Sequence, residues 1–107
     1  MTPPDPRRER VVHWFRADLR LRDNTALAAA ARRAEALVLL FVLDDRVLAG
    51  DGVGPPRLRF LAGSLARLAE DLAARGQQLV VRRGDPAQVV PALLRELRAD
   101  AVTWNAD

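Results

Sequence analysis

The chain has 107 residues, of which 50% are hydrophobic and 29% charged, and its formal net charge is +3. This length fits one small domain, and that hydrophobic fraction is enough to bury a core. With no cysteine and one histidine, the sequence excludes disulfides, thiolate metal sites, thiol catalysis and multi-histidine metal sites. All 17 basic residues are arginine, a bias typical of GC-rich coding, and the small net charge is weak evidence for nucleic-acid binding.

The first ten residues are rich in proline and arginine: Pro3, Pro4, Pro6, Arg7 and Arg8. They lack the apolar core of a signal peptide, and no apolar run in the chain is long enough to span a membrane. We therefore predict a disordered lead-in over residues 1–10, one domain over residues 11–107, a cytoplasmic location and no association with a membrane.

The apolar run Val11–Phe15 is short and rich in β-branched and aromatic residues, which predicts a buried strand in which His13 and Trp14 pack. A charged turn follows, with Arg16, Asp18, Arg20, Arg22 and Asp23. Such a turn between a strand and a helix is how α/β proteins build sites at the carboxyl end of a sheet. Ion pairs that merely hold a turn have the same composition. From the residues alone, both a ligand site and a structural cluster of Arg16, Asp18 and Arg20 stay open.

A helix and a second strand follow. Asn24–Ala34 is predicted to be a helix capped by one of the two polar residues at its start, Asp23 or Asn24. Ala36–Leu43 is apolar throughout, which predicts a strand covered by helices on both faces. Two carboxylates stand at its carboxyl end, Asp44 and Asp45. Segment 46–56, rich in glycine and proline, is predicted to be a loop, with a functional role or a surface excursion equally open.

Leucines at spacings of three and four predict an amphipathic helix over Pro56–Arg75, with Gly76 as the residue that ends it. The stripe consists of Leu58, Leu61, Leu65, Leu68 and Leu72. Gln78–Arg83 is predicted to be the third strand.

A third helix is predicted to begin with Asp85 as N-cap and Pro86 as its first residue. Its buried face comprises Val89, Val90, Leu93, Leu94 and Leu97. Pro91 removes a backbone donor, so we expect this helix to bend or to start late. Ala101–Trp104 predicts a fourth strand, with Trp104 in the core alongside Trp14.

The order β-α-β-α-β-α-β predicts an α/β fold with a doubly wound parallel sheet. Because no helix follows the last predicted strand, we expect a truncated domain that lacks a final strand and helix.

Several motifs together resemble the N-terminal domain of the DNA photolyase/cryptochrome family. They are WFRADLRLRDNTAL at Trp14–Leu27, FVLDD at Phe41–Asp45, PPRLRFLAGSLARL at Pro55–Leu68, Gly76, GDP at Gly84–Pro86 and WNAD at Trp104–Asp107. They occur in the family's order and spacing over nearly the whole chain after residue 10. The resemblance implies a Rossmann-like sheet of strand order 3-2-1-4-5, in which the first and fourth strands are neighbours.

The resemblance also implies a function for the parent protein. It would be a deoxyribodipyrimidine photolyase, which repairs pyrimidine dimers in DNA with light, or a cryptochrome photoreceptor. FAD and damaged DNA would be bound by a helical domain that is absent from these 107 residues. This domain would then be an antenna-binding and interdomain packing module, inactive alone, with that FAD domain as its partner and with DNA contacted only through the parent protein.

In the family, the antenna chromophore is a folate, a deazaflavin or FMN. The positions that match its site lie at strand carboxyl ends: Arg16, Phe41, Leu43, Asp44, Arg57, Asn105 and Asp107. Ala17 departs from the basic residue that several antenna binders have there. No catalytic residue and no metal site is predicted. A stand-alone nucleotide-binding Rossmann-like domain is the remaining alternative, disfavoured because the turn Arg16–Arg22 contains no glycine.

Overall fold

The computed structural model describes residues 9–16, 19–44 and 55–105, with residues 55–57 described by their backbone only. Seven elements alternate along the chain, which confirms the predicted β-α-β-α-β-α-β order. They are β1 (Glu9–Phe15), α1 (Thr25–Arg33), β2 (Ala34–Leu43), α2 (Pro55–Ala74), β3 (Leu79–Arg83), α3 (Pro86–Leu97) and β4 (Ala101–Thr103). The strand β1 begins at Glu9 and thus includes two residues of the predicted lead-in.

The four strands form one parallel sheet in the order β3-β2-β1-β4. The register pairs Phe15 with Phe41 and Val12 with Val102. The neighbouring position of β1 and β4 was implied by the family resemblance and is confirmed. Since β1 is central and β2 is apolar on both faces, helices must cover the sheet from both sides.

Each face of the sheet packs against its own helices, as in a doubly wound fold. On one face, α3 closes a cluster of five buried residues: Val12, Leu40, Val42, Val90 and Leu93. On the other face, α2 closes a second cluster: Phe15, Leu39, Phe41, Leu68 and Leu72. Leu27 of α1 packs against this second cluster. The predicted leucine stripe of α2 is thereby confirmed as core from Leu61 onward, and so is the predicted face of α3.

The ends of α1 and α2 follow local rules. Of the two predicted caps, Asn24 is the N-cap of α1, and its side chain accepts from the amide of Leu27 at 2.9 Å. Asp23 instead adopts a left-handed conformation with φ 52°. At the end of α2, Gly76 has φ 74° and donates to the carbonyl of Ala73, while Gln77 donates to that of Leu72. These two bonds form a Schellman motif, as predicted from the glycine.

The helix α3 begins at Pro86 with Asp85 as N-cap, whose side chain accepts from the amide of Ala87 at 3.0 Å. It runs through Pro91 to Leu97. The expected late start is therefore wrong. Pro91 lies in the second turn of the helix and has no amide hydrogen to donate to a carbonyl of the first turn. This is the loss of a single backbone hydrogen bond, and the burial of Val90 and Leu93 offsets it.

The prediction that Trp104 is a core residue within the last strand is wrong. β4 ends at Thr103, and Trp104 is 47% exposed. Because α3 packs over the β2 side of the sheet, the indole of Trp104 rests on Trp14 at its edge, with ring centroids 6.2 Å apart. His13 is fully buried, as predicted, and its Nδ1 lies 2.9 Å from Oγ1 of Thr103.

Parts of the sequence predictions fall on residues outside those that the structure describes. These are the lead-in up to residue 8, Asp18 of the predicted ion-pair cluster, Asp45 after the second strand, residues 46–54 of the predicted loop, and Asp107. Among the described residues, no helix combines the length and the apolar composition needed to cross a membrane.

Candidate functional site

The carboxyl ends of β1 and β4 lie side by side in the sheet. From β1 the chain winds through β2 to β3 on one side, and β4 then pairs with the opposite edge of β1. The strand order therefore reverses at β1, and ligands of open α/β sheets bind at the carboxyl ends of strands beside such a reversal. His13 pairs with Thr103, the last residue of β4, and Phe15, the last residue of β1, pairs with Phe41, so Arg16 and Asn105 both follow strands that end at the same edge of the sheet. The predicted site residues that follow β1, β2 and β4 thus meet at one edge.

Arg16 is the first residue after β1, and its side chain is exposed. The central carbon of its guanidinium lies 5.1 Å from the centroid of the Trp14 ring, a cation–π contact. Trp104 adds a second indole tilted by 57° against Trp14. We call these three side chains the tryptophan–arginine surface. It presents an open aromatic face beside a fixed positive charge.

Asn105 has a structural task at this edge. Its Nδ2 donates to Oδ1 of Asn24 at 2.6 Å, and its Oδ1 accepts from the amide of Ala26 at 3.2 Å. Asn24 is only 5% exposed, and its Nδ2 donates to the carbonyl of Arg20 at 3.0 Å. The two asparagines together satisfy amides of the first turn of α1, which have no partner inside the helix. This double cap ties the end of β4 to the start of α1.

The sequence did not predict the double cap. Asn24 was recognisable as a cap from its position before a helix, but Asn105 lies 81 positions away. An asparagine after a short strand is compatible with many roles, so only the sheet topology reveals this one.

The predicted residues at the end of β2 differ in what they expose. Phe41 is 7% exposed and belongs to the core, so its side chain is a packing residue. Leu43 is half-buried against the same core, and its carbonyl accepts from the amide of Gly84 at 3.0 Å. Asp44 follows as a half-buried carboxylate at the same edge of the sheet. Of these three, Asp44 alone brings a polar side chain.

The remaining two predicted positions are placed in part or not at all. The backbone of Arg57 lies in the first turn of α2, which begins at the carboxyl edge, but its side chain is not among those that the structure describes. Asp107 also lies outside the described residues. The structure therefore brings Arg16, Asp44 and Asn105 to one edge and assigns Phe41 to the core.

The chemistry of this edge suits the binding of a planar ligand. An exposed indole stacks on flat rings, and a guanidinium beside it pairs with an anionic group. Within the described ranges, no three histidine or acidic side chains cluster as they would around a metal ion.

A doubly wound parallel sheet whose strand order reverses beside β1 defines an α/β domain of the Rossmann-like class. A family model, described as DNA photolyase, matches residues 11–107. The chain belongs to the DNA photolyase/cryptochrome family, as its N-terminal domain.

The relatives of this chain include proteins named photolyase and proteins named cryptochrome. The deoxyribodipyrimidine photo-lyase of a Synechococcus strain is 39% identical over 97 residues, which are 91% of this chain and 20% of that enzyme. A cryptochrome from Synechocystis sp. PCC6803 superposes with a TM-score of 0.84 and 33% identity, covering 92% of this chain and 21% of its own.

An archaeal photolyase from Sulfolobus tokodaii superposes with a TM-score of 0.77 and 30% identity, over 91% of this chain and 22% of its own. That structure is described as containing two FAD molecules, with the implication of a novel light-harvesting cofactor. The chain thus spans about a fifth of the length of these relatives.

Proposed function

We propose that this chain is the N-terminal domain of a deoxyribodipyrimidine photolyase and that it binds an antenna chromophore. The parent protein would repair pyrimidine dimers in DNA with light, through FAD held in a separate helical domain. That FAD domain is the partner of this chain, damaged DNA is reached only through the parent protein, and the chain has no catalytic residue of its own. The photolyase from Synechococcus and the two FAD molecules of the Sulfolobus tokodaii enzyme support this choice.

The observation that carries the proposal is the tryptophan–arginine surface beside the reversal of strand order. Trp104 is 47% exposed and its indole is held at an angle by Trp14, which leaves a flat apolar face toward solvent. The guanidinium of Arg16 lies over the neighbouring Trp14 ring, 5.1 Å from its centroid. FMN, a deazaflavin and a folate each combine a flat ring system with acidic groups, so all three fit this pair of contacts.

The residues have distinct tasks in this proposal. Arg16 binds an acidic group of the chromophore. Asp44, which directly follows β2, accepts a hydrogen bond from the chromophore. The core residues Phe41 and Leu43 keep the end of β2 rigid. Asn105 acts as a positioning residue, because it fixes the end of β4 against α1. Arg57 and Asp107 are further candidates from the family resemblance. The chromophore supplies absorption of light and passes the excitation to FAD.

Titration of the chain with FMN, a deazaflavin and a folate, followed by ligand fluorescence, tests the antenna role. We expect one of the three to bind and Trp104→Ala and Arg16→Gln each to weaken it at least about tenfold. Phe60→Ala is the matched control, since Phe60 is 76% exposed on α2, which packs against the opposite face of the sheet. If none of the three ligands binds, the antenna role fails.

A cryptochrome photoreceptor is the second candidate, favoured by the similarity to the Synechocystis cryptochrome. Repair distinguishes the two functions. The parent protein, purified with its FAD, is illuminated with blue light in the presence of DNA that contains pyrimidine dimers. Loss of dimers supports the photolyase, and dimers that persist under conditions in which FAD is reduced favour the cryptochrome.

A further inference from the structure

A cavity of about 320 Å³ lies between α2 and residues 19–22 of the turn after β1. Four arginines line it together with one carboxylate: Arg20, Arg22, Arg67, Arg75 and Asp71. Of the residues predicted for the chromophore site, the five whose side chains the structure describes do not line this cavity. It is therefore a separate feature of the domain, and its role is independent of the proposed binding of a chromophore.

The turn carries two of the arginines because polar and apolar residues alternate in it. Leu19 and Leu21 are half-buried and pack against the core cluster around Phe15, whereas Arg20 and Arg22 are exposed. The carbonyl of Arg20 is also held by the buried Asn24 side chain at 3.0 Å. The leucines thus anchor the turn and leave both guanidinium groups at the rim of the cavity.

The other two arginines are Arg67 on α2 and Arg75 directly after the last residue of α2, on a stripe with spacings of three and four residues. Ser64, Arg67, Asp71 and Arg75 share one side of the helix and line the cavity, next to the buried Leu68. Arg75 donates to the carbonyl of Asp71 at 2.9 Å, near the end of the helix where a cation is favourable. Arg67, in the middle of α2, has no such explanation.

The charges around this cavity are unbalanced. Elsewhere on the chain, Arg33 pairs with Glu9 at 2.7 Å. Within the described ranges, Arg20, Arg22 and Arg67 make no ion pair, and the cavity sets four guanidinium groups against one carboxylate. Guanidinium groups that converge in this way match the oxygens of a phosphate, to which arginine donates two parallel hydrogen bonds.

An apolar cavity of about 350 Å³ adjoins the basic one and shares Leu21, Arg22 and Arg75 with it. It lies between α1 and α2, and leucines dominate its wall: Leu27, Leu37, Leu39 and Leu72. We propose that the joined cavities bind a small organic phosphate, with the phosphate among the arginines and an apolar or aromatic body among the leucines. Cavities of this size suit small molecules, whereas a nucleic-acid backbone needs an extended charged surface.

Calorimetric titration of the 107-residue chain with 1-naphthyl phosphate, inorganic phosphate and 1-naphthol tests this proposal. We expect 1-naphthyl phosphate to bind more tightly than either fragment, and its affinity to fall as salt is raised. The double variant R22Q/R67Q should lose at least about tenfold in affinity, because two charge-assisted contacts disappear. Arg59→Gln is the matched control, since Arg59 is an exposed arginine of the same helix that does not line either cavity.

Three results would overturn the proposal. The double variant could bind 1-naphthyl phosphate as tightly as Arg59→Gln does, while circular dichroism shows both to be folded. The naphthyl group could add no affinity over inorganic phosphate, which removes the apolar half of the site. A short DNA duplex could bind the chain more tightly than 1-naphthyl phosphate does and displace it. That result would assign the arginines to nucleic acid.

Discussion

Removal of either asparagine of the double cap should destabilise the fold, and the two effects should be coupled. Asn24→Ala loses the bond to the amide of Leu27 at 2.9 Å, the bond to the carbonyl of Arg20 and the contact with Asn105. An N-cap contributes about 1 kcal/mol and a further buried hydrogen bond about 1 kcal/mol, so we expect a loss of about 2 kcal/mol.

Asn105→Ala loses two bonds, to Asn24 and from the amide of Ala26, and should cost about 1–2 kcal/mol. Because both variants remove the same 2.6 Å contact, the double variant should cost about 1 kcal/mol less than the two single losses added together.

Urea denaturation followed by far-UV circular dichroism measures these free energies of unfolding, with unchanged m-values as the sign that the unfolding transition is the same. Asn24→Ser is the control, because its hydroxyl can still accept from the amide of Leu27 without setting a carboxylate against the carbonyl of Arg20, so it should cost clearly less than Asn24→Ala. If the two alanine variants are additive to within about 0.3 kcal/mol, the asparagines do not act together and our interpretation of this edge is wrong.

Three further predictions concern backbone strain and surface charge, each checked by the free energy of unfolding in urea. Gly76→Ala should cost about 1 kcal/mol from its φ of 74° alone, since no atom lies within 4 Å of the added Cβ. Gly84→Ala should cost more, because its φ is 142° and the new Cβ would stand 2.9 Å from Cγ2 of Val89; equal costs would contradict this reasoning. Arg98→Gly should stabilise the chain by up to about 1 kcal/mol, because Arg98 ends α3 in a left-handed conformation with φ 53°; a loss of stability would show that its side chain packs. Glu9→Gln removes the carboxylate that lies 2.7 Å from the guanidinium of Arg33 at the end of α1. The free energy of unfolding should change by less than about 1 kcal/mol, because both side chains are partly exposed. A larger loss would contradict this reasoning.

Local features of the fold could be predicted from the sequence, because their causes lie within a few residues. The residue types that helix caps require made it possible to recognise Asn24, Asp85 and Gly76. The spacing of the leucines in α2 indicates which side of that helix is buried. Pro91 misled the prediction because one lost backbone bond is small against the burial of the helix face.

Features that depend on the meeting of distant segments could not be predicted. Trp104 is apolar and directly follows a strand, so composition alone places it in the core, whereas the position of α3 leaves it exposed. Arg20 was interpreted as part of an ion-pair cluster or a ligand site in its own turn, and its proximity to Arg67 depends on the packing of that turn beside α2. The candidate chromophore site was predicted at an edge of the sheet, and the structure places Arg16 at that edge beside Trp14 and Phe41 in the core.

The central position of β1 has a consequence for the synthesis of the chain. β1 is synthesised before β2, β3 and β4, yet one of its two partners is β4, and the bonded residues His13 and Thr103 are 90 positions apart. At a translation rate of about 5–20 residues per second, that edge of β1 waits roughly 5–18 s for its partner. Val11 and Val12, which are fully buried in the folded domain, stand on a strand without a neighbour during this time. The order of strands in the sheet thus creates an interval in which nascent chains can pair with one another through β1.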